Sequence, residues 1–164
     1  MKRAFTLVEI LIVVAILGIL AAIVVPQFQS HTTQAKEAAA KDNLRLFRSA
    51  VELYAVQHND IPPGYYDNGS ITPTFLFYAQ LTNYTSAKGF ASTTKSQSYP
   101  YGPYLKKLPA NPFNNEEIVR LLADDDSFPD SADGSYGWIY QPATKTIRID
   151  WPGTDKKGIR YYDY

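Results

Sequence analysis

The sequence predicts an α+β chain. One long amino-terminal helix, apolar all round in its first half and amphipathic in its second, packs on a small antiparallel β-sheet head. Three observations carry this reading. Ile10 to Val25 holds no polar residue. Apolar residues recur at helical spacing from Ala40 to Tyr54, and beyond residue 60 short apolar runs alternate with turn residues. The chain accordingly divides into a basic start (1–4), a first helical stretch (5–26), a second (27–59) and a head (60–164).

Composition narrows the function before any motif is read. The chain has 164 residues, enough for one globular domain beside the amino-terminal helix. Its 16 basic and 16 acidic residues balance, and removal of Lys2 and Arg3 would leave 14 against 16, a net of −2. Nucleic-acid domains carry a basic stripe, so nucleic acid is not an expected partner. The absence of cysteine excludes disulfides and thiolate metal sites. All but one of the 13 tyrosines and all but one of the 11 prolines lie beyond residue 60, which points to a loop-rich head.

Phe5 to Val25 spans about 21 residues, roughly 31 Å as a helix, which matches a bilayer core of about 30 Å. Lys2 and Arg3 precede it, so the amino end stays cytoplasmic and the head lies outside. Three readings fit so far. A cleaved signal peptide expects small residues at a cut after the apolar run, where Val25-Pro26-Gln27 stands instead. A plain signal anchor is the second. The third is a segment processed before the apolar run, leaving Phe5 as the new amino terminus.

Glu9 bears on that choice. A carboxylate in the hydrocarbon costs about 2.5–3.5 kcal/mol on insertion scales and is functional by default. Either Glu9 sits at the cytoplasmic interface, solvated, or it meets a cation from a neighbouring chain. If Phe5 carries a free amine, identical subunits stacked with an axial offset could pair Glu9 with the next amine. Such heterologous contacts propagate into helical filaments. Downstream, Pro26 lacks an N–H and its ring opposes the carbonyl of Ala22, while Gly18 weakens the same section.

The run Ala4-Phe5-Thr6-Leu7-Val8-Glu9-Ile10 resembles the processing and methylation site of type IV pilins and type II secretion pseudopilins. The resemblance implies a prepilin peptidase that cuts between Ala4 and Phe5 and N-methylates Phe5, with Glu9 setting register in the filament. It also implies that Gly18 and Pro26 are the positions where the helix can extend on leaving the bilayer. Ala4 stands where the family normally has Gly.

After Pro26 the helix continues with Ala40, Leu44, Phe47, Val51 and Tyr54 on one face, widened by Leu46, Ala50 and Leu53. Charged residues such as Lys36, Glu37, Lys41 and Asp42 lie off that stripe, and Glu37–Lys41 is an i,i+4 pair. Asn59 and Asp60, followed by Pro62-Pro63-Gly64, stop the helix. His31 and His58 bracket this stretch, too far apart to share a metal, and read as surface residues.

In the head, Phe75 to Leu81 fits a short helix or a strand. Gly137 to Tyr140, a turn at Gln141–Lys145, and Thr146 to Asp150 read as a β-hairpin, with Trp138, Tyr140, Ile147 and Ile149 facing the helix. Tyr101 to Phe113, with Pro103, Pro109 and Pro112, resembles the proline-rich loop of the major (G-type) pseudopilin, where such a run packs across the sheet. Asp124, Asp125, Asp126, Asp130 and Asp133 form an acidic cluster. Calcium takes six to eight oxygens in such loops, and the resemblance implies calcium there, with Asp124, Asp126, Asp130 and Asp133 as candidate ligands. The spacing fits no EF-hand loop, and a solvated acidic loop is the alternative.

No Ser-His-Asp set, histidine pair or phosphate loop supports catalysis. The resemblance implies a homo-oligomeric pseudopilus anchored in the inner membrane, with a periplasmic head. Its implied partners are the prepilin peptidase, the inner-membrane assembly platform and minor pseudopilins. A type IV pilin for adhesion, motility or DNA uptake is the alternative, and a membrane-anchored periplasmic enzyme or binding protein is the second.

Overall fold

The computed structural model describes residues 6–67 and 69–164, with the backbone alone for 25–30. Helix α1 runs Leu7–Gln57. The chain divides after Glu37 into two units, the second being Ala38–Tyr164.

In the first unit every described side chain from Thr6 to Val24 is exposed, and every Leu, Ile and Val from Leu7 to Leu20 has more than half its surface free. Gly18 has no atom within 4 Å of where a Cβ would sit, so packing inside the chain does not require a glycine there. Pro26 falls within α1 without ending it.

The second unit is built on the carboxyl-terminal part of α1. Ala40, Leu44, Phe47, Ala50, Val51 and Tyr54 are all buried there. Leu46 and Leu53, expected to widen this stripe, are instead about half exposed. At 100° per residue they fall on the flank of the helix that the sheet leaves uncovered. After Gln57 the backbone turns left-handed at Asn59 (φ 54°) and Asp60 (φ 64°), and the Asp60 N–H bonds the Ala55 carbonyl at 2.8 Å.

Phe75 to Leu81 resolves as helix, within α2 (Thr74–Thr82). Short strands β1 (Tyr84–Thr85) and β2 (Ala91–Ser92) form a two-stranded antiparallel pair. The main sheet has the order β3 (Val119–Leu121), β4 (Trp138–Gln141), β5 (Thr146–Ile149). The expected hairpin is β4–β5, antiparallel with Trp138 opposite Ile149 and Tyr140 opposite Ile147. Strand β3 adds to β4 in parallel, Val119 opposite Trp138. A parallel neighbour cannot be reached by a tight turn, so the chain needs a crossover. Residues 122–137 supply it, and the acidic cluster lies on it.

Sheet and helix share one core. Trp138, Tyr140, Ile147 and Ile149 are fully buried, and Trp138 meets Phe47 edge-on at 6.0 Å. The proline-rich loop closes one side. Leu105 and Leu108 are buried, the Leu105 N–H bonds Leu81, and the Pro109 carbonyl accepts from the Trp138 indole at 2.7 Å. Buried Gln80 accepts from the Gly64 N–H at 2.8 Å and donates to the Tyr65 and Gly89 carbonyls, fixing the segment after α1. Gly137 has no room for a Cβ against the Glu116 backbone, which lets β4 start beside that segment.

Candidate functional site

Two places in the chain carry chemistry that packing alone does not need. One is the start of α1, the other the crossover.

At the start of α1, Thr6 and Glu9 form a reciprocal cap. The Glu9 carboxylate accepts from the Thr6 backbone N–H at 3.0 Å and the Thr6 hydroxyl at 2.9 Å, while the Glu9 N–H donates to that hydroxyl at 3.2 Å. This is a capping box, legible in Thr6-Leu7-Val8-Glu9 as the pattern T-x-x-E, a signal the sequence reading passed over. The cap satisfies otherwise free amino-terminal N–H groups and favours a negative charge at that end of the helix. Behind it, Leu7–Val24 is the one described helix long and apolar enough to cross a membrane, and none of its residues is buried in the chain. Ala4 and Phe5, the expected cleavage and methylation positions, lie outside the described residues.

The crossover holds the four aspartates expected to share calcium, and the structure spends them separately. Asp124 accepts from the Tyr65 hydroxyl. Asp126 accepts from the Ala123 N–H at 3.0 Å, and Asp133 from the Ser135 N–H at 2.8 Å. The Asp130 backbone carbonyl accepts from Arg160 at 3.1 Å. Among the described residues no three His, Asp or Glu side chains converge as a metal site. The donor set therefore does not fit calcium: Asp126 and Asp133 each close a local turn, and Asp124 is taken by Tyr65 across the head.

The group that organises the crossover is Asp150, which sequence reading treated as the end of a strand. It is 2% exposed, and its carboxylate accepts from the N–H groups of Asp133 (3.1 Å), Gly134 (3.3 Å) and Tyr136 (2.9 Å). Gln141 anchors the other end by donating to the Ala123 and Asp126 carbonyls at 3.2 and 2.8 Å. Nearby, Asp155 accepts from the Lys157 and Ile159 N–H groups and the Tyr164 hydroxyl. Burial pushes its carboxyl up, but these bonds outweigh it and hold the group below the usual carboxylate range. Carboxylates hold both loops by backbone N–H groups.

His58, expected at the surface, is instead 2% exposed and stacked on Tyr54 at 3.8 Å.

An exposed, capped apolar helix ahead of a small α+β head is a pilin-like arrangement, and the apolar helix fits a membrane anchor. Comparison with known proteins sharpens this. Residues 1–25 match the family model of the prokaryotic N-terminal methylation motif. The chain is 35% identical over 114 residues to the type II secretion system core protein G of Pseudomonas aeruginosa, covering 70% of each chain. It is 30% identical over 114 residues to that of Aeromonas hydrophila, covering 70% of this chain and 69% of the relative. It is 37% identical over 102 residues to the prepilin peptidase-dependent protein D of Escherichia coli K12, covering 59% of this chain and 66% of the relative. No solved structure matches. The chain belongs to the type II secretion system core protein G family of pseudopilins.

Proposed function

We propose that this protein is the repeating structural subunit of a pseudopilus, built from the inner membrane by a type II secretion system, and that its role is mechanical rather than catalytic. Before assembly the subunit crosses the inner membrane once, amino end in the cytoplasm and head in the periplasm. A prepilin peptidase removes residues 1–4 and methylates Phe5. The assembly platform then moves the subunit into a helical homo-oligomer that minor pseudopilins accompany. The observation that carries this reading is the helix Leu7–Val24, whose apolar side chains have no cover within the chain and whose one acid sits at its capped end. A bilayer can cover that surface in the stored state and neighbouring copies in the filament.

Glu9 works in both states. In the single chain its carboxylate caps α1 through Thr6. In the filament it exchanges that partner for the Phe5 amine of an adjacent subunit, which fixes axial register. Gly18, with no packing role in the chain, and Pro26, which cannot donate to the Ala22 carbonyl, give the helix a section that extends on leaving the bilayer.

The test is Glu9→Ala beside Glu9→Asp, in cells carrying the secretion system. Glu9→Ala is expected to leave the protein membrane-inserted with a folded head and to abolish filaments, with Glu9→Asp intermediate. Filaments of normal abundance and order from Glu9→Ala would refute the register role.

A further inference from the structure

Leu46, on the flank of α1 that the sheet does not cover, faces the proline-rich loop across an open groove of about 430 Å³. Tyr104 and Pro109 line the opposite side, and exposed Lys106 and Lys107 border it. The two sides are tied together, because the Asn43 side chain on α1 donates to the Ala110 carbonyl at 2.8 Å. The two cations are not equally engaged. Lys107 bonds Glu117 at 2.7 Å, whereas no ion pair is seen for Lys106 among the described residues.

The same chain carries a counterpart to this groove. Phe75, in the first turn of α2, is 74% exposed, the most exposed aromatic side chain among the described residues. The core takes Phe77 from that helix and leaves Phe75 out. Ile71, just ahead of α2, is also exposed; it pairs with Tyr65, whose hydroxyl donates to Asp124. An apolar knob and the exposed run Asp124, Asp125, Asp126 therefore share one end of the head. The groove lies at the other end. About 9 Å of helix beyond Phe75, the Leu81 carbonyl accepts from the Tyr104 and Leu105 N–H groups of the loop. Strand β4 spans the same two ends: its first residue, Trp138, donates to Pro109, and its last, Gln141, to Ala123 and Asp126.

We propose that heads join end to end, with Phe75 of one subunit seated in the groove of the next and Asp125 of the first facing Lys106 of the second. The contact rests on the pseudopilus reading and specifies which surfaces of the head repeat along the filament. Knob and groove sit at opposite ends of one short helix, so a single chain cannot join its own pair. A contact between two different patches of identical chains does not pair off as a two-fold dimer does, and it propagates. Room is sufficient, since an apolar cavity of about 150 Å³ already takes benzene. Seating the ring takes Phe75 and the free side of Leu46 out of water together, as an aromatic anchor does in a pocket ringed by polar groups. Charge selects the occupant. A cationic border attracts the acidic end of another copy, whereas two acidic ends or two cationic borders repel, so head-to-tail order wins. Asp125 is exposed, and no bond is seen for it among the described residues.

The chain has no cysteine, so paired thiols report this contact without background. Full-length protein carrying Lys106→Cys and Asp125→Cys together, made in cells with the secretion system and treated with a short bismaleimide, should give a ladder of dimers, trimers and larger multimers. Each single variant should stay monomeric. Adding Phe75→Ser to the pair should weaken the ladder severalfold without lowering the melting temperature of the full chain in detergent micelles. Lys106→Glu should reduce filament yield severalfold, and Lys106→Glu with Asp125→Lys should restore it. Cross-linking that stops at dimers, a ladder indifferent to Phe75→Ser, or a reversed pair that fails to rescue would overturn the contact. So would cross-links to a protein of another size, which would assign the groove to a different component. Filaments of processed chains that give no multimers refute this contact alone. Wild-type cells without filaments refute the pseudopilus reading, and the contact with it.

Discussion

Asp150 gives the sharpest test of how the crossover is held. Asp150→Asn keeps size and shape but turns one carboxylate oxygen into an amide nitrogen. The best orientation leaves Oδ1 to accept from Asp133 and Gly134 and places the NH2 against the Tyr136 N–H, now 2.9 Å from an oxygen. One hydrogen bond to a charged acceptor is lost, worth about 1.5–3 kcal/mol, and the other two weaken from charged to neutral strength. The expected loss is about 3–5 kcal/mol, or roughly 10–20 °C in melting temperature for a unit of this size. The assay is urea unfolding of a soluble form beginning at His31, followed by the fluorescence of Trp138 and Trp151. Asp125→Asn, on an exposed residue of the same loop, is the control and should stay within about 0.5 kcal/mol of wild type. Calcium should change neither protein. A loss under about 1 kcal/mol for Asp150→Asn, or its disappearance on adding calcium, would refute the view that this carboxylate holds the crossover.

Two further outcomes follow from the core and from the buried acid. Phe47→Ala removes a fully buried ring between Phe77 at 6.4 Å and Trp138 at 6.0 Å, and should destabilise the same soluble form by about 3–5 kcal/mol in urea unfolding. The Asp155 carboxyl is held below its unfolded value, so the folded state binds fewer protons and Asp155 stabilises it at neutral pH. That contribution is present above about pH 4 and is lost as pH falls through the folded value. Asp155→Asn should therefore melt lower than wild type at pH 7, with the gap closing towards pH 3.

The legible parts of this protein were those governed by local periodicity. The stripe Ala40, Leu44, Phe47, Val51, Tyr54 is buried because helical geometry alone sets those positions on one face. The β4–β5 hairpin was readable from two alternating runs around one turn. What sequence could not show was non-local. Leu46 and Leu53 are as apolar as Leu44, and only the width of the sheet decides which are covered. β3 is too short to declare its direction, and its parallel pairing depends on a crossover. The acidic cluster suggested a shared ion because spacing does not reveal partners such as Tyr65 and Ala123. Asp150 passed unnoticed because the N–H groups it binds lie 14 to 17 residues away. His58 looked superficial because a lone polar residue gives no sign of the rings that enclose it, Tyr54, Tyr101 and Tyr104. The T-x-x-E cap is legible in the sequence, where the charge of Glu9 in an apolar run overshadows its local bond to Thr6.

If the exposed helix Leu7–Val24 belongs to a processed filament subunit, the mature amino terminus reports on it most directly. Intact-mass and amino-terminal peptide analysis of the protein from membranes should show a chain that begins at Phe5, lacks Met1–Ala4 and carries one added methyl group. The same protein from cells without the prepilin peptidase should retain Met1–Ala4 and lack the methyl. A chain that keeps Met1–Ala4 when the peptidase is present would contradict the account.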